Sequence, residues 1–433
     1  MLKQIRTNAA GIDIGSKAVY VAVEGQPVVN FGTFTSDFSA LCAYLKAHHI
    51  ATVAMEATGV YWVVLYDMLE QAGLDVWLID GRQTKQVPGR KTDVKDCQWI
   101  QQLHSYGLFN RCFVAEGLIR ELRSYQRLRQ DHIRSAAMHI NHMQKALIEM
   151  NIRLPEVLSQ VNGASGMRVI EAILAGERDK HYLLSLCDKR IREKKTEQLL
   201  KALEAHYTPP GLFALQQAHG AYHFYQEQIS ACDKEIEKVL IKINEEKEAP
   251  ANEQTAKRKP IRHHKPDVKD LGGHMLKAFE GKDATLLSGI TDYSWLQLMG
   301  ETGQDLTKWP TEKHFTSWLG LAPGQKDSGK KKRNVSKGKR PKAGEIFRQI
   351  AQSLLNSKTI AWGNFARRLR SRKGAPIAVK ATARKLAVQY WRLMVKGGDF
   401  VEKGIEHYEK LLIIQKQKYL KRMAKELNVE LVL

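Results

Sequence analysis

The stretch "AAGIDIGSKAVYVAVEG", residues 9–25, decides how the amino-terminal part of this chain folds. It reads as a strand, a tight turn and a second strand, because β-branched and apolar residues run up to "GSK" and resume after it. Within "GIDIGS", Ile12 and Ile14 point to one side of the strand and Asp13 to the other. "PVVNFGTF" adds a third strand, and "DFSALCAYLKAHH" has helical spacing. "IATVAME" is a buried strand, "GVYWVVLYDMLEQAG" a helix closed by Gly73, and "LDVWLID" another strand. "TDVKDCQWIQQLHSYG" is a helix capped by Thr92 and ended by Gly107. Three consecutive strands, then alternating helices and strands, describe an α/β domain with a mixed sheet.

Carboxylates punctuate this pattern. Asp13 lies on a central strand beside two glycines. Glu56 ends an apolar strand, with Thr58 placed to cap the following helix. A carboxylate at the carboxyl end of a strand stands where open α/β sheets usually put their sites. Asp93 and Asp96 are three apart at a helix start, so they share one face. Taken singly, each has a plainer use: Asp13 as a surface acid, Asp93 as a complement to the helix dipole. Together the four can converge into a set of hard oxygen ligands. Magnesium prefers such carboxylates with water and phosphate oxygens, and paired ions stabilise attacking and leaving oxygens in phosphodiester chemistry. "DIGS" also suits the phosphate turn of actin-like ATPases, but the second glycine-rich phosphate loop those need is missing.

The middle of the chain changes character. Ile133, Ala136, Ile140, Met143, Leu147 and Met150 recur at three- and four-residue intervals, as do Tyr222, Tyr225, Ile229, Cys232, Ile236, Val239 and Ile243. Both are heptad seams, able to pair within the chain or with another protomer. Between them, residues 151–211 are mostly helical and basic, with a break at Pro209–Pro210. Residues 245–274 are charged, contain three prolines and lack periodicity, which is linker composition. Beyond lies a mainly helical region and a last amphipathic helix. The expected organisation is 1–112, an α/β domain; 113–250, a helical coiled-coil region; 251–274, a charged linker; 275–402, a mainly α carboxy-terminal domain; and 403–433, a helical tail.

Composition narrows the partners. The 433 residues carry a net charge of +22, with an ordinary hydrophobic fraction of 43%. Such an excess of cations is relieved by a polyanion, and nucleic acid leads because neutralised phosphates release counterions. There is no apolar run of membrane-spanning length and no signal-peptide pattern, so a soluble intracellular protein without a membrane partner is expected. The five cysteines are scattered, which argues against both a disulfide framework and a structural zinc site. His263–His264 lacks partner ligands.

The densest charge lies in "GLAPGQKDSGKKKRNVSKGKR", residues 320–340. Here Ser328 heads a block of Lys330, Lys331, Lys332, Arg333, Lys337, Lys339 and Arg340. Ser-Gly in a basic loop is ordinarily just a turn. A serine hydroxyl among cations is also where a phosphate could be attacked, since the cations stabilise charge on phosphoryl oxygens and Gly329 lets the backbone come close.

The ordered motifs "GIDIGS", "MEATGVYW", "KTDVKD", "WLGLAPGQKDSG" and "AVKATARKLAVQYWRLMVKGGDF" resemble the DEDD insertion-sequence transposases, the "one-hundred-ten" insertion-sequence family with its "eleven-eleven" branch. That resemblance implies a ribonuclease-H/RuvC-like amino-terminal domain with Asp13, Glu56, Asp93 and Asp96 as a magnesium-binding acidic quartet. It also implies a transposase domain with Ser328 as nucleophile, Ser336 being the alternative, and DNA cut and rejoined through a phosphoserine intermediate. Further implied are donor and target DNA, a structured non-coding bridge RNA as guide, a homodimer or homotetramer, and a cytoplasmic, nucleoid-associated place in a prokaryotic cell. The chain departs from the family pattern at Gly289, alone where Gly-x-Gly is common, and at Cys97, where alanine is usual. The competing functions are a Holliday-junction resolvase using the quartet alone and a non-catalytic nucleic-acid-binding protein.

Overall fold

The computed structural model describes residues 3–84, 93–245, 247–248, 259–323, 326–328, 331–333, 341–357, 361–398, 413–414 and 417–427, which fall into two compact units, Met1–Val114 and Ala115–Leu433. In the first, the strands are β1 (Ala9–Ile14), β2 (Val19–Val23), β3 (Val29–Phe31), β4 (Thr52–Glu56) and β5 (Asp75–Ile79). Helices α1 (Thr35–Ala47) and α2 (Trp62–Gln71) flank β4, and α3 (Asp93–Ser105) follows β5. The sheet order is β3-β2-β1-β4-β5. The first three strands pair antiparallel, and β4 and β5 join parallel to β1. This mixed sheet is consistent with the expected ribonuclease-H-like start.

Strand alternation sorts the residues by face. Ile12, Ile14, Val21, Val53, Met55 and Val76 pack against Phe38, Leu41 and Leu45 of α1 and Leu65, Tyr66 and Leu69 of α2. Each fully buried aliphatic side chain there contributes about 1.5–3 kcal/mol relative to exposure. The opposite face carries Gly11, Asp13, Ala54, Glu56 and Ile79, and is covered by α3 through Ile100, with Phe109 beyond it. At Gly11 the helix comes unusually close: a Cβ there would lie 2.2 Å from the Gln101 amide nitrogen and 2.4 Å from the Cys97 carbonyl oxygen. Glycine at 11 therefore fixes how deeply α3 sits on β1.

The second unit is built on two long helices, α4 (Gly117–Glu149) and, after α5 (Leu154–Val157), α6 (Ala164–Leu174), α7 (Lys180–Ser185) and α8 (Lys189–Ala202), α9 (Pro209–Asn244). Proline at the first helical positions and Thr208, whose hydroxyl accepts from the Gly211 amide at 3.3 Å, start α9. The two heptad seams meet each other within the chain. Ile133 and Ala136 pack with Ile229, while Arg129 meets Asp233 and Met150 lies against Gly211, so the helices run antiparallel. The Arg129–Asp233 pair is buried, with Nε 2.6 Å from Oδ1. Helices α10 (Leu271–Ala278), α11 (Asp292–Thr302) and α12 (Glu312–Trp318) precede a short hairpin of β6 (Lys326–Ser328) and β7 (Lys331–Arg333). Then come α13 (Lys342–Leu355), α14 (Ala361–Lys373) and α15 (Ala375–Lys396). Their core holds Trp295, Phe315, Phe347 and Tyr390, all fully buried. Among the described residues no helix is long and apolar enough to cross a membrane.

Candidate acidic site and serine hairpin

Asp13 and Glu56 come together because β1 and β4 are parallel and in register. Gly11 faces Ala54 and Ile12 faces Met55, so one further step sets Asp13 beside Glu56 on the α3 face. Helix α3 runs against the strand direction, with Cys97 and Gln101 on Gly11 and its first turn, Asp93 and Asp96, toward the carboxyl end of β1. Burial, then the charges of Glu56, Asp96 and Asp93, push the Asp13 carboxyl up to about 6. The ordinary value is near 4. The other three acids thus all act on Asp13, although no three of the four bring their oxygens within 4.8 Å of each other. Asp13, Glu56 and Asp96 are half-buried and Asp93 is exposed.

The surroundings hold Glu56 more firmly than its sequence suggests. A Cβ at Gly81 would lie 2.1 Å from Glu56 Oε1, so any larger residue would occupy the carboxylate's place. The Thr84 hydroxyl lies 3.0 Å from Glu56 Oε2 and 2.9 Å from the Gly81 carbonyl oxygen, and shares its hydrogen between them. Neither residue stood out in the sequence; the one signal was a glycine just past the end of an apolar strand. Thr58 does not do what was expected of it. Tyr61 is the residue before α2, without a side-chain cap, and the Thr58 amide instead donates to the Glu56 carbonyl at 2.9 Å. The chain makes a turn between β4 and α2, and Thr58 sits three residues too early to reach the helix amides.

Asp80, one residue beyond β5, is a further acid at this end of the sheet, but it binds the Arg82 guanidinium, with Nε 3.0 Å from Oδ2. Cys97 is fully buried beneath the acids; burial and then the charge of Asp13 push its thiol up to about 12, and Sγ donates to the Val94 carbonyl at 3.1 Å. It packs as a small apolar residue rather than acting as a nucleophile. A hard-oxygen donor set of four carboxylates fits a divalent cation: burial and then the charges of the other three acids already raise the Asp13 carboxyl to about 6, and a bound cation would offset both.

Ser328 lies at the end of β6, paired across the hairpin with Lys331, and Asp327 with Lys332. The side chains of Ser328, Lys331, Lys332 and Arg333 lie outside the described residues, as do Gly329, Lys330, Ser336, Lys337, Lys339 and Arg340 altogether, and likewise Thr92. The segment's two roots are held together. Gly344, in the first turn of α13, packs so tightly on the Leu319 carbonyl that a Cβ would stand 2.2 Å from its oxygen. At Gly320 the backbone, with φ of +66°, is in the left-handed region, and a Cβ there would meet Pro341 only at ordinary contact distance, 3.9 Å.

Residues 10–152 match the family model of the DEDD transposases of the IS110 type, described as a transposase, and residues 285–366 match the model described as the transposase IS116/IS110/IS902 family. The first match spans the sheet, the four acids and α4. The second spans α11, α12, the Ser328 hairpin and α13. No curated protein gives a significant match.

Proposed function

Because the chain belongs to the IS110 family of DEDD transposases, and so acts on DNA, we propose that it cuts and rejoins DNA strands through a phosphoserine bond at Ser328. In this reading Asp13, Glu56, Asp93 and Asp96 hold magnesium. The observation that carries it is the placement of the acids: the β1–β4 register sets Asp13 beside Glu56 on the face covered by α3, whose first turn holds Asp93 and Asp96, and all three of the other acids, after burial, raise the Asp13 carboxyl. A half-buried cluster of one sign is retained where a bound cation offsets the repulsion. Bound there, magnesium would supply Lewis-acid stabilisation of charge on phosphoryl oxygens.

The chain's own residues do the rest. Ser328 Oγ forms a bond to a backbone phosphorus as the bond from that phosphorus to the leaving sugar oxygen breaks. The hydroxyl proton passes to a base, and the leaving oxygen takes up a proton. Rejoining reverses the exchange on a second strand end. The cations that follow Ser328 hold the phosphate and offset its growing charge. The rest of the positive charge, including exposed Lys194 and Lys195 on α8 and Arg370 and Arg372 on α14, suits long nucleic-acid backbones. A structured non-coding RNA that selects donor and target by pairing is the partner this reading adds to DNA.

A suicide DNA substrate, which loses its free end once cut, tests the covalent step. It should leave a protein–DNA band on a denaturing gel, with the nucleotide on the peptide containing Ser328. Ser328→Ala should bind DNA and form no band, and Asp13→Ala should also fail. If two protomers share one site, mixing those variants restores part of the activity. Cutting by Ser328→Ala at the wild-type rate would end the nucleophile assignment and favour a resolvase that uses the acids alone.

A further inference from the structure

Glu171 of α6 and His219 and His223 of α9 lie outside both family-matched segments and outside the acidic site. The two histidines are four apart on one helix and share a face. Their Nε2 atoms are 3.1 Å apart. Glu171 Oε1 comes from the other helix to 3.6 Å from His219 Nε2 and 4.0 Å from His223 Nε2. Among the described residues this is the group in which three candidate ligand atoms from His, Cys, Asp or Glu all lie within 4.8 Å of one another.

From these distances we propose that Glu171, His219 and His223 bind a late first-row divalent cation, zinc foremost, which clips α6 to α9. Zinc takes imidazole nitrogen and carboxylate oxygen at about 2.0–2.2 Å, which places neighbouring ligand atoms of a tetrahedron roughly 3.3–3.5 Å apart. The three observed separations straddle that value, so shifts of up to roughly half an ångström complete the shell. With a cation between them, both Nε2 atoms present lone pairs and the hydrogen between them is displaced to the Nδ1 positions. Two nitrogens and one oxygen suit zinc, cobalt or nickel and not magnesium, which takes oxygen ligands. The site is therefore chemically separate from the acidic quartet.

The site is reachable from solvent. The side chains of His223 and Glu171 are 47% and 51% exposed, while His219 is 19% exposed and anchors the cluster in the helical core. That leaves a fourth position for water. It also places the clip where it acts on the helices α5–α8, which are inserted between α4 and α9 and reach α9 through α6. The scattered cysteines argued against a structural zinc site, but this one needs no cysteine.

The test uses the full-length protein stripped with EDTA and titrated with cobalt(II) alone. Wild type should bind one equivalent more than the double histidine variant, with the visible bands of a four-coordinate nitrogen–oxygen site, and zinc should displace it and raise the melting temperature. Magnesium should not displace the cobalt, and any stabilisation it gives through the acidic quartet should persist in the histidine variants. His219→Gln/His223→Gln should lose the bands and the thermal shift, with affinity down at least tenfold. Glu171→Gln, at an exposed position that leaves the fold alone, should weaken binding as well. No cobalt bands in wild type at micromolar metal, or identical uptake by wild type, the double variant and Glu171→Gln, would overturn the proposal. Neither result bears on Ser328 or the acidic quartet.

Discussion

Gly11 of β1 meets Gln101 of α3 with no room for a side chain: a Cβ at 11 would lie 2.2 Å from the Gln101 amide nitrogen. The contact is with backbone, which cannot rotate away as a side-chain tip can. It sets the height of α3 over the sheet and with it the position of Asp93 and Asp96 above Asp13. Gly11→Ala should therefore lift the helix, at a cost of about 1–3 kcal/mol, the usual range for overpacking. DNA rejoining should fall far more than this loss of stability explains. Urea melts and a recombination assay on the same protein check it; unchanged activity in the folded variant would detach the acid geometry from the reaction.

Asp13 carries a pH signature. Its carboxyl is raised to about 6 in the fold, from an ordinary value of 3.8. The folded state then binds the proton more tightly than the unfolded chain. Protonated Asp13 is well accommodated below pH 3.8, and stability is lost as pH rises from there to about 6. Asp13→Asn should thus be more stable than wild type at pH 7 in EDTA, by about 1–2 kcal/mol once solvent screening is allowed for. The difference should vanish near pH 3.5, and magnesium should stabilise wild type but not the variant. A gap that is equal at both pH values would contradict the raising of the Asp13 carboxyl by burial and by the other acids.

His104 works in the opposite sense. It is fully buried on the same face of the sheet, with Nε2 2.9 Å from the Thr52 hydroxyl oxygen, and burial, then the charge of Arg6, pulls it down to about 4. The unfolded chain takes up this proton near pH 6.5, so stability is present above 6.5 and is lost as pH falls toward 4, by up to about 3 kcal/mol. Between pH 4 and 6 the two residues offset one another, and a wild-type profile alone hides both. His104→Leu should flatten the acid limb, since the Thr52 hydroxyl still lies 2.9 Å from the Asp75 carbonyl oxygen. Denaturant midpoints at pH 4.5 and 7 for both single variants separate the effects.

The sheet and the acids were legible because strand alternation is local. Ile12 and Ile14 on one side force Asp13 to the other, and a parallel partner in register brings Glu56 beside it. What holds Glu56 was not legible, because Gly81 and Thr84 reach it only after a helix and a parallel strand intervene. Thr58 misled for a related reason: a cap must directly precede the first turn, and the number of residues spent in the turn before α2 is not written in the sequence. The seams of α4 and α9 showed as heptads, but whether they pair within the chain or between chains depends on the connection α5–α8. The same heptad reading passed over His219 and His223, which lie on α9 with Tyr222 and Tyr225 and bear no apolar signal. The β6–β7 pairing around Ser328 had no alternation to announce it, since "KDSGKKKR" is polar throughout.

The buried Arg129–Asp233 pair gives the last prediction. Arg129 also donates to the Tyr293 hydroxyl oxygen at 3.0 Å and to the His264 carbonyl at 3.2 Å, and the Asp267 amide donates to Asp233 Oδ2 at 3.1 Å. The pair therefore joins α4 to α9 and ties the chain at 264–267 to both. Arg129→Met leaves a buried carboxylate without its cation and should cost about 3–5 kcal/mol. Arg129→Met/Asp233→Leu removes both charges and should recover most of that loss, because an apolar pair of similar volume fits a helix seam. Recovery should stop short at one place. The Asp267 amide and the His264 carbonyl lose their partners in the double variant, so residues 264–267 should exchange amide hydrogens faster while α4 and α9 regain wild-type protection. Peptide-resolved hydrogen exchange on the three proteins reads both effects at once. Wild-type protection at 264–267 in the double variant would mean that the segment is held by other contacts, and that the ion pair serves the two helices alone.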